Sequence, residues 1–311
     1  MPKKKLITHN GSFHADDIFA AAALILYLEK KNEAFSVQGG PASGWEIIRT
    51  RDEEIIKTGD YVFDVGGIYD EATNRFDHHQ AEGAGQNPHG IEYSSLGLVW
   101  KKFGSEIAGG DKPAKVVEKR LCAPIDAWDN GQDLVKSAHE VGPYYLQSVF
   151  NAMLPTWKEQ TEDIDEIFLK CVKLARTVLA REIIQAQDMA EAEEAIISAY
   201  QNSADQRIII LEKNYPFEYV LVNYPEPLFV VYPRKTGDSW GAKAVRKDFK
   251  SFESRKKFPS DWAGLRDAEL AKISGVPDAM FCHRALFTAV AKSREGAIAL
   301  AKQALQVESA K

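Results

Sequence analysis

The sequence predicts an α/β protein with a parallel-sheet domain at its N-terminus, a long connecting helix, and a smaller α/β domain at its C-terminus. Three observations carry that expectation. Short apolar runs alternate with helix-forming runs through the N-terminal third. A stretch from about Glu162 to Ala199 contains neither Gly nor Pro, and its apolar residues recur at spacings of three and four. The length of 311 residues exceeds a typical single domain. The boundaries implied are 1–155, 156–204 for the helical connector, and 205–311.

Taken in order, Leu6 to Thr8 is a short strand that delivers His9 to a loop. Asp16 and Asp17 open the apolar run Ile18 to Leu28, a strong helix former whose acidic start suits the helix dipole. That run is too short to span a bilayer and reads as a buried helix. Tyr61-Val62-Phe63 is a second buried strand, ended by Asp64-Val65-Gly66-Gly67. Residues 77–90 are a loop rich in Gly and polar residues, and helices follow near 94–103 and 113–122. In the connector, Ile164, Ile167, Phe168, Cys171, Leu174, Ala175, Val178 and Leu179 make one apolar stripe. Beyond it, Ile208 to Leu211, Tyr219 to Val222 and Leu228 to Val231 read as strands, and a last helix covers about Glu295 to Leu305. No internal repeat is evident.

Composition excludes some classes of function. Hydrophobic content is 45% and charged content 27%, ordinary for a globular protein, and the net charge of −6 rules out a general polycation. Cys122, Cys171 and Cys282 lie far apart, and an odd count argues against a disulfide framework. Lys3-Lys4-Lys5 is followed by no long apolar stretch, so no signal peptide is read. The expectation is a cytoplasmic protein with no membrane partner, and a homo-oligomer is left open.

Four clusters carry the chemistry: His9 and His14 with Asp16 and Asp17; Asp64 before its glycines; Asp77-His78-His79; and Asp126 with Asp129 in Ile125-Asp126-Ala127-Trp128-Asp129-Asn130-Gly131. Four of the seven histidines fall between positions 9 and 79, and His89, His139 and His283 have no such context. Each cluster sits where a strand or helix meets a loop, and open α/β sheets bind ligands at the carboxyl ends of strands. Each also has a plainer explanation. A lone histidine is more simply structural, Asp16 or Asp17 alone a helix cap, and Asp64 or Asp129 alone a turn residue. Together they favour a metal site. A mixed His and carboxylate set without thiolates suits Mn²⁺, and also Zn²⁺ or Fe²⁺. Two such ions meet the needs of phosphoester hydrolysis, which must deprotonate water near neutral pH and offset charge on phosphoryl oxygens. Asp64, at a strand end in the middle of the set, is the candidate bridge.

These residues resemble the DHH phosphoesterase superfamily. Within it the chain is similar throughout to the melanocyte-proliferating-gene family, an uncharacterised family described as 3′–5′ exonuclease-like. The matching stretches are THNGSFHADD (8–17), VFDVGGIYD (62–70), RFDHHQ (75–80), EYSSLGLVW (92–100), IDAWDNG (125–131), SFESRKKFPSDWAGLRD (251–267) and SREGA (293–297). The resemblance implies a DHH-type catalytic domain and a Mn²⁺-dependent exonuclease acting on single-stranded RNA or short oligonucleotides. It implies that His9 and His14 hold one ion with Asp64, and that Asp16 and the last-motif aspartate hold the other, again with Asp64. Of Asp126 and Asp129, Asp126 is favoured. His78 ligates or contacts the phosphate, Asp77 orients the histidines, and His79 meets the scissile phosphate. How Asp16 and Asp17 divide the work is open, because they are adjacent. One departure concerns substrate. The family often carries a Gly-Gly pair where this chain has Thr288-Ala289-Val290-Ala291, so its substrate-binding half is expected to be altered.

Residues 234–257 hold nine basic and three acidic residues in an acidic chain, with Trp240, Phe249 and Phe252 interleaved. That is what a single-strand stacking platform requires, and equally what a solvated loop with a few core aromatics would show. Arg246, Lys247, Arg255 and Lys256, with Arg294 of the SREGA stretch, are the candidate substrate contacts. The alternatives are a phosphoesterase of a small molecule such as pyrophosphate or a cyclic dinucleotide, and a metal-binding protein without turnover. An older family label, metal-dependent protein hydrolase, finds no support in a peptidase feature such as His-Glu-x-x-His.

Overall fold

The structure is a computed structural model that describes residues 3–31, 44–159, 163–235 and 237–307. The chain divides into two compact units, Met1–Gln187 and Asp188–Lys311. Each has its own sheet and core.

In the first unit, β1 (Lys4–Thr8) leads to α1 (Ala15–Lys31), followed by β2 (Trp45–Arg49), α2 (Glu53–Ile56) and β3 (Tyr61–Phe63). A short hairpin of β4 (Tyr69–Asp70) and β5 (Arg75–Phe76) completes a sheet in the order β2-β1-β3-β5-β4. All its pairings are parallel except β4 with β5. The expected parallel sheet is therefore present, with an antiparallel edge. Helix α1 is buried on every side as far as Ile25 and packs on α3 (Ser95–Ala108). Its alanine run allows that close approach, and a helix apolar all round belongs inside. Next come α4 (Asp111–Val117), a π-helical turn (Glu118–Cys122), α5 (Ala123–Asp129) and α6 (Leu146–Asn151). The expected helix at 113–122 is thus the first part of a longer run that ends at Asp129.

Helix α7 (Ile164–Gln201) is the long helix expected from the apolar period. Its expected start at Glu162 lies outside the described residues. Ile167, Phe168, Cys171, Val172, Ala175 and Leu179 of α7 join the core of the first unit. Ile196 and Tyr200 pack with Ile209, Phe217 and Leu221.

In the second unit, β6 (Ile208–Ile210) precedes α8 (Glu218–Leu221), β7 (Phe229–Pro233), β8 (Trp240–Ala244), α9 (Asp267–Ser274), β9 (Ala279–Cys282), β10 (Thr288–Ala291) and α10 (Arg294–Gln306). The strand order is β6-β7-β8-β10-β9, with only β6 and β7 parallel. Tyr219 to Val222, expected as a strand, lies instead in and just after the single-turn helix α8. The residues that replace the family's Gly-Gly pair form the strand β10, where Ala289 is buried opposite Ala242 and Cys282.

Among the described residues no helix is long and apolar enough to cross a membrane. The three cysteines are buried and free.

Candidate metal centre

The centre is built where the carboxyl ends of β1 and β3 meet the first turn of α1. Thr8 ends β1 and hands the chain to His9; Phe63 ends β3 and hands it to Asp64. Asp64 has φ +53°, a left-handed conformation that few residues other than Gly and Asn tolerate as well as Asp. Gly66 and Gly67 follow, also with positive φ, and the Gly67 N–H donates to Asp77 Oδ2 at 2.6 Å. That turn sets the Asp77-His78-His79 segment beside Asp64.

Helix α1 presents Asp16 and Asp17 as consecutive residues of its first turn, about 100° apart around the axis. They therefore serve different sides of the cluster. Asp17 Oδ1 accepts from the His14 N–H at 2.9 Å, which caps the helix, while its Oδ2 lies 3.3 Å from His9 Nε2. Asp16 Oδ2 accepts from Ser95 Oγ at 2.7 Å and leaves Oδ1 free. From α6, Gln147 Oε1 accepts the Ala15 N–H at 2.6 Å and satisfies a further end of α1.

Among the described residues the ligand-type atoms fall into three groups: His9, Asp17 and Asp64; His14, Asp16 and Asp129; and Asp64, His78 and His79. Asp64 joins the first to the third. Its Oδ2 lies 3.1 Å from His9 Nε2, and its Oδ1 3.4 Å from His78 Nε2. His78 Nε2 also lies 3.2 Å from Asp129 Oδ2 and 3.9 Å from Asp16 Oδ2. Asp77 stands behind this set. Its Oδ1 accepts from His79 Nδ1 at 2.7 Å, a contact that fixes the plane of the His79 ring. The cluster opens into a cavity of about 500 Å³ lined by His14, His78, His79, Glu92, Tyr93 and Asp129.

Two placements differ from the sequence expectation. His14 is grouped with Asp16 and Asp129, whereas Asp17 stands with His9 and Asp64. Asp126, the favoured last-motif residue, belongs to none of the groups. Its buried carboxylate accepts from Ser94 N, Ser94 Oγ and Gly97 N at 3.2, 2.6 and 3.1 Å, so it caps α3 from a neighbouring helix. A Cβ on Gly97 would fall 2.4 Å from Asp126 Oδ2. The aspartate that reaches the cluster is Asp129, one turn further along α5. Ser94, Ser95 and Gln147 were missed as supporting residues. The serines lie inside the stretch EYSSLGLVW, but a side chain that grips a remote carboxylate leaves no local pattern.

The electrostatics is that of a negative pocket. Burial opposes charging His9, yet the carboxylates of Asp17 and Asp64 beside its Nε2 outweigh it and raise its pKa to about 10. Burial likewise opposes charging His78, and Asp129 and Asp64 raise it to about 11. Burial would push Asp64 up, but His78 and His9 hold it down at about 2. Asp16 is raised well above the usual range by burial and by the charges of Asp64 and Asp129, and burial raises Asp17 as well. Asp16 Oδ1, Asp17 Oδ2, Asp64 Oδ1 and His78 Nε2 are buried without a well-formed hydrogen bond, and the last three meet their neighbours through ion-pair contacts of 3.2–3.4 Å. Buried polar atoms so poorly bonded and so close together are costly in a fold that keeps them for itself. Divalent cations fit them: the donors are carboxylate oxygens and imidazole nitrogens, converging at ligand spacing.

The candidate contacts of the second unit are placed differently. Arg255 donates to the carbonyls of Val222, Tyr224 and Pro227, which commits its guanidinium to holding the fold. Lys256 donates to the Val307 carbonyl at 2.8 Å, Lys247 is paired with Glu253, and Arg294 with Glu212 at 2.6 Å. Arg246 makes no ion pair among the described residues and lies over the Phe252 ring.

Comparison with known proteins places these features in a family. The profile of an uncharacterised protein family (UPF0160) matches residues 5–305. A Bos taurus protein named MYG1 exonuclease is 31% identical over 345 residues, covering 98% of this chain and 85% of the relative. The Homo sapiens MYG1 exonuclease is 30% identical over 348 residues, covering 99% and 88%. A MYG1 protein of Chlamydia muridarum is 30% identical over 295 residues, covering 93% and 92%.

Proposed function

The chain belongs to the uncharacterised protein family UPF0160, and from that premise we propose that it is a metal-dependent phosphodiester hydrolase, a 3′–5′ exonuclease of RNA or short oligonucleotides. The observation that carries this reading is the connected cluster of buried carboxylate and imidazole atoms that lack well-formed hydrogen bonds. Relatives named exonuclease support the choice of a phosphodiester.

Two divalent ions, Mn²⁺ first among them, suit the donor set, and when bound they supply a lowered pKa for water and charge to offset the phosphoryl oxygens. His9, Asp17 and Asp64 would hold one. Asp16, Asp129 and His78, with His14 at the rim, would hold the other. Asp64 faces both sets with separate oxygens, which is the requirement of a bridge. Asp126 holds α5 against α3 and so sets the position of Asp129. Ser95 holds one oxygen of Asp16 and leaves the other for a ligand. His79 carries its Nδ1 proton toward Asp77, and that hydrogen bond raises its pKa. Its exposed ring, when protonated, would donate to a phosphate oxygen.

The test is cleavage of a 5′-labelled single-stranded RNA of about ten nucleotides, in Mn²⁺ and in EDTA, beside Asp64→Asn. Asparagine tolerates the left-handed backbone at this position, so the variant removes charge and leaves shape. We expect stepwise shortening that needs Mn²⁺ and falls at least about a hundredfold in Asp64→Asn. Equal cleavage by the variant, or cleavage in EDTA, would sink the proposal. Absence of cleavage by Mn²⁺-loaded protein would transfer the reading to a small phosphate ester or a binding role.

A further inference from the structure

The second unit holds a cavity of about 430 Å³ whose walls include Lys243, Arg246, Phe252, Lys257 and Phe287. A hairpin forms one wall. Lys247 N donates to Glu253 O, and Arg255 N to Val245 O, each at 2.8 Å, while Arg246 pairs with Ser254 across it. At the tip, Asp248 Oδ1 accepts from the amides of Lys250 and Ser251 at 2.8 Å, which closes the turn. The hairpin holds up Phe252, whose residue is 88% exposed.

The exposed Phe252 ring offers a flat apolar face to a planar partner. The Arg246 guanidinium lies 4.7 Å from its centroid, so a planar cation and a ring are already in contact. The cations nearby divide sharply. Lys243 is neutralised by Glu218 at 2.5 Å, Lys247 by Glu253, and Arg255 and Lys256 are bound to backbone carbonyls. Arg246 and Lys257 make no ion pair among the described residues, and both line the cavity. Two unneutralised cations bordering an exposed ring match a flat base joined to phosphates. A duplex offers no free base face, and an acidic peptide has no need of the ring.

We propose that this cavity is a subsite for single-stranded nucleic acid, in which Phe252 stacks on a base and Arg246 and Lys257 neutralise the flanking phosphates. The choice of occupant rests on the nuclease reading above; the site and its test do not require turnover. The pocket volume suits one nucleotide unit. Phe252 and Lys257 are exposed, so substituting them removes no core contact.

The experiment is fluorescence anisotropy with the full-length protein in EDTA, using a labelled decauridine and an abasic decamer with the same phosphates. Phe252→Ala is expected to weaken decauridine binding about tenfold and to leave the abasic strand unchanged. Lys257→Gln and Arg246→Gln are each expected to weaken decauridine binding and to reduce its logarithmic salt slope by about 0.7. The proposal is overturned if Phe252→Ala binds decauridine as the parent does, if the abasic strand binds the parent as tightly as decauridine, or if no binding is seen up to roughly 100 µM strand at low salt. Loss of Phe252-dependent binding in a protein that still cleaves RNA with Mn²⁺ rejects the subsite alone. Phe252-dependent binding without cleavage rejects the hydrolase reading alone.

Discussion

Asp64 bears the tightest constraint of any single residue in the centre. Its left-handed backbone costs about 1 kcal/mol or more for a residue other than glycine, and it persists because the neighbouring strands and turn fix it. In return its two oxygens face two different histidines. The protons on those histidines give a pH prediction. His9 and His78, at about 10 and about 11 in the metal-free protein, are both charged at neutral pH. An imidazole must be neutral to bind a metal ion, so protons and Mn²⁺ compete. Mn²⁺ uptake at neutral pH should release protons, and affinity should rise with pH by about tenfold per unit for each imidazole that must lose one. For the metal-free fold the sign is opposite. Both folded pKa values lie above the unfolded 6.5, so their contribution to stability is whole below that pH and is lost as pH rises through about 10 and 11. Calorimetry of Mn²⁺ binding in buffers of different ionisation enthalpy counts the protons; zero released would refute the pairing of these histidines with Asp17, Asp64 and Asp129. At this scale the sequence was most readable where residue types were unusual. His9, Asp64 and His78 stood out by type and spacing. Asp126 and Asp129 did not separate, because residues three apart on a helix share a face and only the tertiary partner of each, Ser94 or His78, tells them apart.

Among the elements, the N-terminus of α3 organises the support of the centre. Ser94 grips Asp126 and Ser95 grips Asp16, so one helix end holds both a capping and a candidate ligand carboxylate. Gly97, in the first turn, keeps that approach open. By helix propensity alone Gly97→Ala would stabilise by about 1 kcal/mol. A Cβ at 2.4 Å from Asp126 Oδ2 and 2.6 Å from Tyr93 Cδ1 reverses the sign, because the carboxylate must retreat from buried donors at a cost of about 1–3 kcal/mol. Gly97→Ala should therefore lower the urea midpoint and, by shifting α5 and Asp129, weaken Mn²⁺ binding as well. An unchanged midpoint would show that α3 and α5 do not depend on this contact. The elements were legible in proportion to their length. The 38-residue α7 has a period too long to mistake. The run Tyr219 to Val222 is aromatic and β-branched, but over four residues a strand and a helical turn give the same pattern, and the packing of Leu221 and Phe217 with Ile196 and Tyr200 decided for the turn. Strand β8 went unseen because its Gly and Ala residues carry no β signal; its place in the sheet comes from pairing with β7 and β10.

For the whole molecule, the net charge of −6 conceals two opposite local fields. The first unit buries Asp16, Asp17, Asp64 and Asp126, and the second carries the basic run 234–257. Several cations of that run serve its own fold, which no count of charge could reveal: Arg255 is a backbone clamp, while Arg246 and Lys257 remain unpaired by any carboxylate among the described residues. The central claim concerns the first unit. Crystals grown with Mn²⁺ and measured at the Mn absorption edge test it most directly. The account predicts two anomalous peaks about 3.5–4 Å apart, one beside His9 and Asp17, one beside Asp16 and Asp129, with Asp64 between them. Strong Mn²⁺ peaks elsewhere and none touching Asp64 would contradict it.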